Sequence, residues 1–294
     1  MIKKTFLSRV FDIFNVIFLI ALSFISLYPF LYVIFASFSD SSLLALYRGI
    51  LLKPLGFSAG AYKAVFEQED IIIGFINTLI YVIVGTGINI LMTSLGAFVL
   101  SRRDFYWNKL LLPMAVFTMF FGGGLIPTFL LIKTLGLYDT RWAILIPTAI
   151  STWNLFIMRT NFMAIPSSLE ESAEIDGANS FTVFARIVMP LSMPVISVMI
   201  LYYGVGNWNS WFNAMVFLRN RNLFPLQLFL REILIANSTE EMMLSMDVGT
   251  ADTQRVSETV KYATIVVATV PILCVYPFLQ KYFVKGVMVG AIKG

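Results

Sequence analysis

The sequence predicts an all-α integral membrane protein with six transmembrane helices, and three observations carry that prediction. Apolar residues make up 58% of the 294 positions and charged residues 13%, against roughly a quarter charged in an ordinary soluble domain. The apolar residues gather into charge-free runs longer than about 18 residues, the length at which a helix crosses a hydrocarbon core. The polar residues gather between those runs, most densely in the segment 166–190. The pI of about 9.1 fits basic loops at a membrane surface, so nucleic acid is not an expected partner and membrane lipid is.

The first run, 13–39, follows the basic MIKKTFLSRVF. It is too long for a signal peptide and lacks a clear cleavage site, so it reads as a retained span. The second and third runs are 71–101 and 110–132. The fourth, 142–165, reaches full length only if Arg159 snorkels toward the interface. The fifth is 187–218 and the sixth 262–280. The second and fifth exceed one perpendicular crossing, so a tilt, kink or protruding end is expected. Pro113, Pro127, Pro147, Pro194 and Pro271 should bend the spans they touch. Gly122-Gly123-Gly124 allows either close helix approach or a break. Two long outer segments remain, 40–70 and 219–261. The second contains NLFPLQLFLREILI, a candidate helix on the outer face that either braces the spans or docks an external protein. With no soluble domain boundary, residues 1–294 read as a single transmembrane domain. The lone Cys274 excludes an internal disulfide and reads as core filler.

Six spans place both termini on one side. Basic residues in short loops set that side, and Lys3, Lys4, Arg9 and the Arg102-Arg103 pair favour an N-terminus in the cytoplasm. The segment 166–190 then faces the cytoplasm as well.

That segment reads PSSLEESAEIDGANSFTVFARIVMP. Ser167 or Ser168 can cap a helix, with Glu170 or Glu171 three residues on at the reciprocal capping-box spacing. Glu170, Glu171 and Glu174 sit near the positive end of that helix, where carboxylates are favoured. Gly177 is placed to end it. Asn179 or Ser180 can cap a second short helix carrying Phe181, Phe184 and Val188 on one face, and Pro190 opens the next span. The product is a helix–turn–helix elbow at a membrane surface, acidic on one side and apolar on the other.

Glu171-Ser172-Ala173, Asp176-Gly177-Ala178 and Met189-Pro190 resemble the EAA signature of bacterial ABC-importer permeases, with Ser172 standing where alanine is usual. The resemblance implies the type I importer permease fold, with the elbow as a coupling helix seated in a cleft of a cytoplasmic ATPase. Glu170, Glu171, Ala173, Asp176, Gly177 and Ala178 are then the coupling residues. Phe120 to Pro147 and the stretch NWNSWFNAMVFL are similar to carbohydrate-importer permeases, relatives of the maltose-type small permease subunit that move oligosaccharides. The C-terminus, 281–294, resembles a family tail that reaches between two ATPase subunits. Lys285, Gly286, Gly290, Lys293 and Gly294 are the implied contacts, a plain anchoring tail being the alternative.

The chemistry that is absent points the same way. There are no histidines, which removes the commonest general base and metal ligand, and no metal site is expected. No phosphate-binding loop exists, since Lys4-Thr5 and Lys133-Thr134 lack the glycines. The runs carry no acid at depth, unlike proton-driven carriers. An enzyme is therefore not expected, and energy must come from a partner or from a coupled ion. The resemblance implies a homologous second permease, two ATPase subunits holding ATP and magnesium, and an extracytoplasmic solute-binding protein. The cargo is an oligosaccharide and the site of action the bacterial cytoplasmic membrane. A sodium-coupled carrier is the rival class, but paired glycine-broken helices in inverted repeats are not evident.

Sugar recognition uses aromatic faces and amides. Asn207, Trp208, Asn209, Trp211 and Asn213 in the fifth run suit it, with Trp153 and Asn154 in the fourth as second choices. An interfacial tryptophan belt and helix-gluing asparagines are the alternatives.

Overall fold

The computed structural model describes residues 6–102, 104–244, 259–274 and 277. In chain order the helices are α1 (Phe6–Ser37), α2 (Ser41–Leu46), α3 (Gly60–Glu67), α4 (Glu69–Ser101), α5 (Asn108–Phe120), α6 (Leu125–Thr134), α7 (Trp142–Leu145), α8 (Thr152–Met163), α9 (Ser167–Ile175), α10 (Ser180–Val183), α11 (Met189–Leu191), α12 (Met193–Trp208), α13 (Phe212–Phe217), α14 (Leu226–Leu244) and α15 (Thr259–Cys274). A π-helical turn, Phe184–Val188, joins α10 to α11. Among the described residues the only β pairing is an isolated bridge between Ser39 and Phe57. The chain divides into two compact units.

The first unit comprises Met1–Gln68 and Glu232–Thr269. Its α1 is apolar all round, and the most apolar window of Val10–Ser37 contains no buried residue. A helix of that kind finds its partner in lipid or in another chain. The segment that follows α1 is well tied. Asp40 caps α2 by accepting from the Ser42 and Leu43 amides. Tyr28 Oη accepts from the Leu51 amide at 3.1 Å, and Ser39 Oγ accepts from that of Leu55 at 3.0 Å. Ala36, Leu44 and Leu51 form a small core, with Tyr32 and Tyr262 packed against it.

The second unit, Glu69–Arg231 with Val270–Gly294, is built around α4. The buried face of α4 runs Gly74, Thr78, Tyr81, Gly85, Asn89, Thr93 and Ala97, at helical spacing. Ile72, Ile76, Ile83, Leu91 and Val99 point outward. Such inversion is what a lipid solvent favours: small and polar residues let helices approach and hydrogen-bond, while branched apolar ones cost nothing against acyl chains. Two polar ties cross this core. Asn89 Nδ2 donates to the carbonyls of Thr148 (2.6 Å) and Ala149 (3.1 Å), and its Oδ1 accepts from Asn207 Nδ2 at 3.0 Å. Tyr203 Oη shares a hydrogen bond with Thr93 at 2.7 Å and accepts from the Ser151 amide at 3.1 Å.

Among the described residues only Val10–Ser37 and Glu69–Ser101 are uninterrupted helices long and apolar enough to cross a membrane alone. The run expected at 110–132 turns through 118° between α5 and α6. Of the two options left open by three glycines, the chain takes the break, and Gly124 adopts φ 83°, ψ 174°, a region closed to residues with a Cβ. The run expected at 187–218 bends by 82° between 180–191 and α12, and breaks again after Trp208. Pro190 therefore does not open the span. The turn falls at Ser192, and Pro194 occupies the first turn of α12, where its missing N–H is harmless. The fourth run is likewise interrupted at 146–151, around Pro147. Cys274 is exposed rather than core filler, as a small apolar group in a membrane helix gains little from protein over lipid.

In this unit Asp139, at φ 60°, latches one loop to another. Its carboxylate accepts from the amides of Arg219 (2.8 Å) and Asn220 (2.9 Å), and these bonds hold its pKa below the ordinary 3.8. A depressed carboxylate stabilises the fold fully above its unfolded value and loses that contribution as pH falls through the folded one. Thermal unfolding of the wild type is expected to weaken on acidification below pH 3.8 more steeply than that of Asp139→Asn, which keeps the left-handed backbone accessible but cannot titrate.

Candidate functional site

The elbow begins at Pro166, whose extended backbone precedes α9. The capping box expected from Ser167 or Ser168 does not form, because no side chain caps this N-terminus. Glu170 is instead turned away toward Arg102. The C-terminal end follows expectation. Gly177 adopts φ 81°, its amide donates to Glu174 O at 3.0 Å, and the Ala178 amide reaches back to Ala173 O at 2.9 Å. This pair of bonds is the Schellman closure, which satisfies carbonyls orphaned at a helix end. Of the two candidate caps for α10, Asn179 serves, accepting from the Thr182 amide at 2.8 Å.

Two faces result. Ala173 and Ala178 pack inward on a core that includes Ala97, Leu100, Leu155, Met158, Phe162, Val183 and Val188. Outward stand Ile175 (87% exposed), Phe181 (69%) and Leu169 (44%), among the exposed Glu171, Glu174 and Asp176. Phe181 thus leaves the face it was expected to share. Phe184 and Val188 are buried while Phe181 is not, although its ring still meets that of Phe184 at 6.1 Å.

Arg102 and Arg159 are the residues sequence reasoning missed here. Arg102 pairs with Glu170, and its guanidinium lies over the Phe98 ring at 4.2 Å. Burial pulls its pKa below the ordinary value, opposed by the charges of Asp104 and Glu174. Arg159 does not merely snorkel, for its Nε donates to Leu100 O at 2.7 Å. The clue was an arginine just past the end of one apolar run and a second inside another.

The residues considered for sugar binding are dispersed. Asn207 is tied to Asn89 and to Thr86 (3.3 Å), so its amide glues helices. Trp208 is buried and meets Phe75 edge-on at 6.0 Å. Asn154 is buried, while Trp153 is 63% exposed on α8. Asn209, Trp211 and Asn213 lie around the break between α12 and α13. Asn209 is exposed, and Trp211, half-buried, carries the Arg231 guanidinium over its ring at 4.6 Å. Alongside α4 and α12 runs a groove of about 680 Å³ lined by Thr86, Ile90, Phe184, Met189, Gly204 and Trp208 among others. Its walls are almost wholly apolar, which does not suit a sugar. The tail residues Lys285, Gly286, Gly290, Lys293 and Gly294 lie outside the described residues.

Residues 93–289 match the family described as binding-protein-dependent transport system inner membrane component. The chain is 42% identical over 288 residues to the polygalacturonan/rhamnogalacturonan transport system permease protein YtcP of Bacillus subtilis (strain 168), covering 98% of this chain and 99% of that protein. It is 26% identical to the arabinooligosaccharides transport system permease protein AraQ of the same organism, over 95% of this chain and 94% of that one. Its fold is similar to a chain in the crystal structure of a bacterial ABC transporter involved in the import of the acidic polysaccharide alginate. The TM-score is 0.87 at 31% identity, covering 96% of this chain and 100% of that chain.

Proposed function

Because this chain belongs to the binding-protein-dependent transport system inner membrane components, we propose that it is the permease through which an ABC importer moves an acidic oligosaccharide across the bacterial cytoplasmic membrane. A permease of this family is a membrane subunit without enzymatic activity of its own, and it works with an ATPase, a substrate-binding protein and a second permease. In our reading the second permease is homologous but different, and two ATPase copies hold ATP and magnesium. Both termini are cytoplasmic, six crossings include the two bent ones, and 1–294 acts as one permease domain. Lys285, Gly286, Gly290, Lys293 and Gly294 are the contacts to the ATPases in this reading.

The observation that carries this reading is the elbow. Its inward face is locked by Ala173, Ala178 and the turn at Gly177, while its outward face leaves Ile175 87% exposed among carboxylates. An apolar anchor ringed by charge is the build of a helix that docks in a groove. ATP-driven closure of the partner is then delivered to spans that alternate between two packings.

Two features support an acidic cargo. The solved transporter named above is involved in the import of the acidic polysaccharide alginate, and YtcP, more similar to this chain than AraQ, is named for polygalacturonan and rhamnogalacturonan, whereas AraQ is named for arabinooligosaccharides. In this chain Arg231 has no carboxylate partner among the described residues, lies on Trp211, and so sets a cation beside an aromatic face at the α12–α13 break. Broken helices are where transporters place their substrates. Asn209, Trp211 and Asn213 are accordingly the substrate-facing candidates, whereas Asn207, Trp208 and Asn154 serve packing and Trp153 the surface.

The test is purification of the tagged chain co-expressed with its neighbouring genes, followed by reconstitution in vesicles. A second permease and an ATPase should stay bound, and ATP should drive uptake of an oligogalacturonide in preference to a neutral oligosaccharide of equal length. A homodimer that takes up sugar under a sodium gradient without an ATPase would overturn the reading.

A further inference from the structure

The inward side of the elbow carries an arrangement that docking alone does not require. A helix end leaves its last four carbonyls without partners, and side chains from several elements converge on the end of α4. Arg102 Nε donates to Phe98 O at 3.4 Å. Arg159 Nε, from α8, donates to Leu100 O at 2.7 Å. Asn108 Nδ2, at the start of α5, donates to Arg102 O. The Arg102 guanidinium then reaches Glu170 of α9 through Nη1, with side chains only 23% and 16% exposed, while its Nη2 is buried without a partner among the described residues. Glu170 is thus turned inward, whereas Glu171, Glu174 and Asp176 are exposed, Glu174 still acting on Arg102 through its charge.

We propose that the Arg102–Glu170 pair is the linkage by which displacement of the elbow is passed to α4, a positioning pair for the transport cycle rather than a contact to the ATPase. This rests on the elbow being the ATPase-docking site. Ala173 of α9, and Ala178 just after it, pack on the core through methyl contacts, which resist compression but slide under tension. A shielded, charge-assisted hydrogen bond is directional and resists both. The movement has a route onward through contiguous contacts. From residue 102 it enters α4, whose ties through Asn89 and Thr93 hold α12 and residues 148–151. The pair therefore joins the docking knob to the helices on both sides of the groove.

The experiment compares wild type, Arg102→Ala, Glu170→Gln and the reversed pair Arg102→Glu/Glu170→Arg in the reconstituted complex. Two quantities are read, the ATPase retained on purification and the sugar imported per ATP hydrolysed. Both single variants are expected to retain the ATPase and to lose about tenfold in the transport ratio, within the range of coupling between linked sites. The reversed pair should recover most of that loss. An unchanged ratio in the single variants, or a reversed pair as poor as either, overturns the linkage. So does a lower yield with a normal ratio in the complex recovered, the mark of a merely structural contact. If Arg102→Ala fails to assemble, Glu170→Gln, which removes charge and keeps shape, decides alone. A wild-type complex without ATP-driven uptake would sink the importer reading itself instead.

Discussion

Replacing Ile175 by aspartate is expected to release the ATPase from the purified complex. Ile175 ends α9 on its outward side, 87% exposed, so the fold has little to lose. Surface substitutions away from caps and cores stay within about 0.5 kcal/mol, and the carbonyl bonds that close the helix use backbone atoms. An apolar anchor at the centre of a docking surface behaves differently, since truncating one costs about 2–4 kcal/mol. A buried carboxylate without a partner adds desolvation to that. Binding should therefore weaken by roughly 30- to 1000-fold, enough to lose the ATPase during washing, while the chain itself remains folded in detergent. Glu171→Lys makes a useful contrast. Its exposed charge sits at the rim, where substitutions act mainly on association rate and salt dependence. The ATPase should remain bound in that variant while transport falls. Undiminished capture of the ATPase by Ile175→Asp would mean that the elbow is not the docking knob.

The largest loss of stability is expected from Asn77→Leu. Asn77 is 2% exposed on α4 and uses its whole amide. Its Nδ2 donates to Asn222 O at 2.7 Å and Phe224 O at 3.1 Å, and its Oδ1 accepts from Arg141 Nη2 at 2.9 Å. Leucine fills the volume and leaves two carbonyls and the Arg141 Nη2 group without this partner, beside an Arg141 Nε already buried without a partner among the described residues. Losses of that kind cost about 1–3 kcal/mol per orphaned group and more for charged ones, so at least about 3 kcal/mol in total is expected. Asn77→Asp should fall between leucine and wild type, because it strengthens the bond to Arg141 but turns an acceptor toward two carbonyls. Thermal unfolding and the rate of tryptic cleavage at Arg219 and Arg221 measure both. Equal cleavage of Asn77→Leu and wild type would show that this loop is held by other contacts.

Local grammar made the elbow legible from the residues alone. A glycine at the end of an amphipathic acidic stretch and an asparagine two residues later each specify one backbone conformation, and Gly177 and Asn179 adopt them. The inward turn of Glu170 was not legible, because its partner lies 68 positions away and an arginine at the end of an apolar run reads equally well as an orientation signal. The runs were recognisable as apolar, yet their continuity was not. Hydropathy is blind to the three glycines at 122–124 and to the turn at Ser192, since glycine, serine and proline interrupt a helix without interrupting its apolar character. Asn207 and Trp208 looked like sugar ligands for the same reason that they suit the core. Amides and indoles satisfy either need, and only the positions of Asn89 and Phe75 decide between them.

The break at 121–124 bears on how the chain can exist. The peptide N–H groups of Gly122, Gly123 and Gly124 have no acceptor among the described residues, and nothing described stands within 4 Å of where a Cβ would lie on Gly122 or Gly124. Acyl chains cannot satisfy a bare peptide group, and irregular backbone persists at membrane depth only against protein or water. A lone copy of the chain is thus at home neither in lipid, where these peptides go unserved, nor in water, where α1 lies naked. Where the opening at the glycines lies at membrane depth, a neighbouring chain or a column of water has to stand beside it.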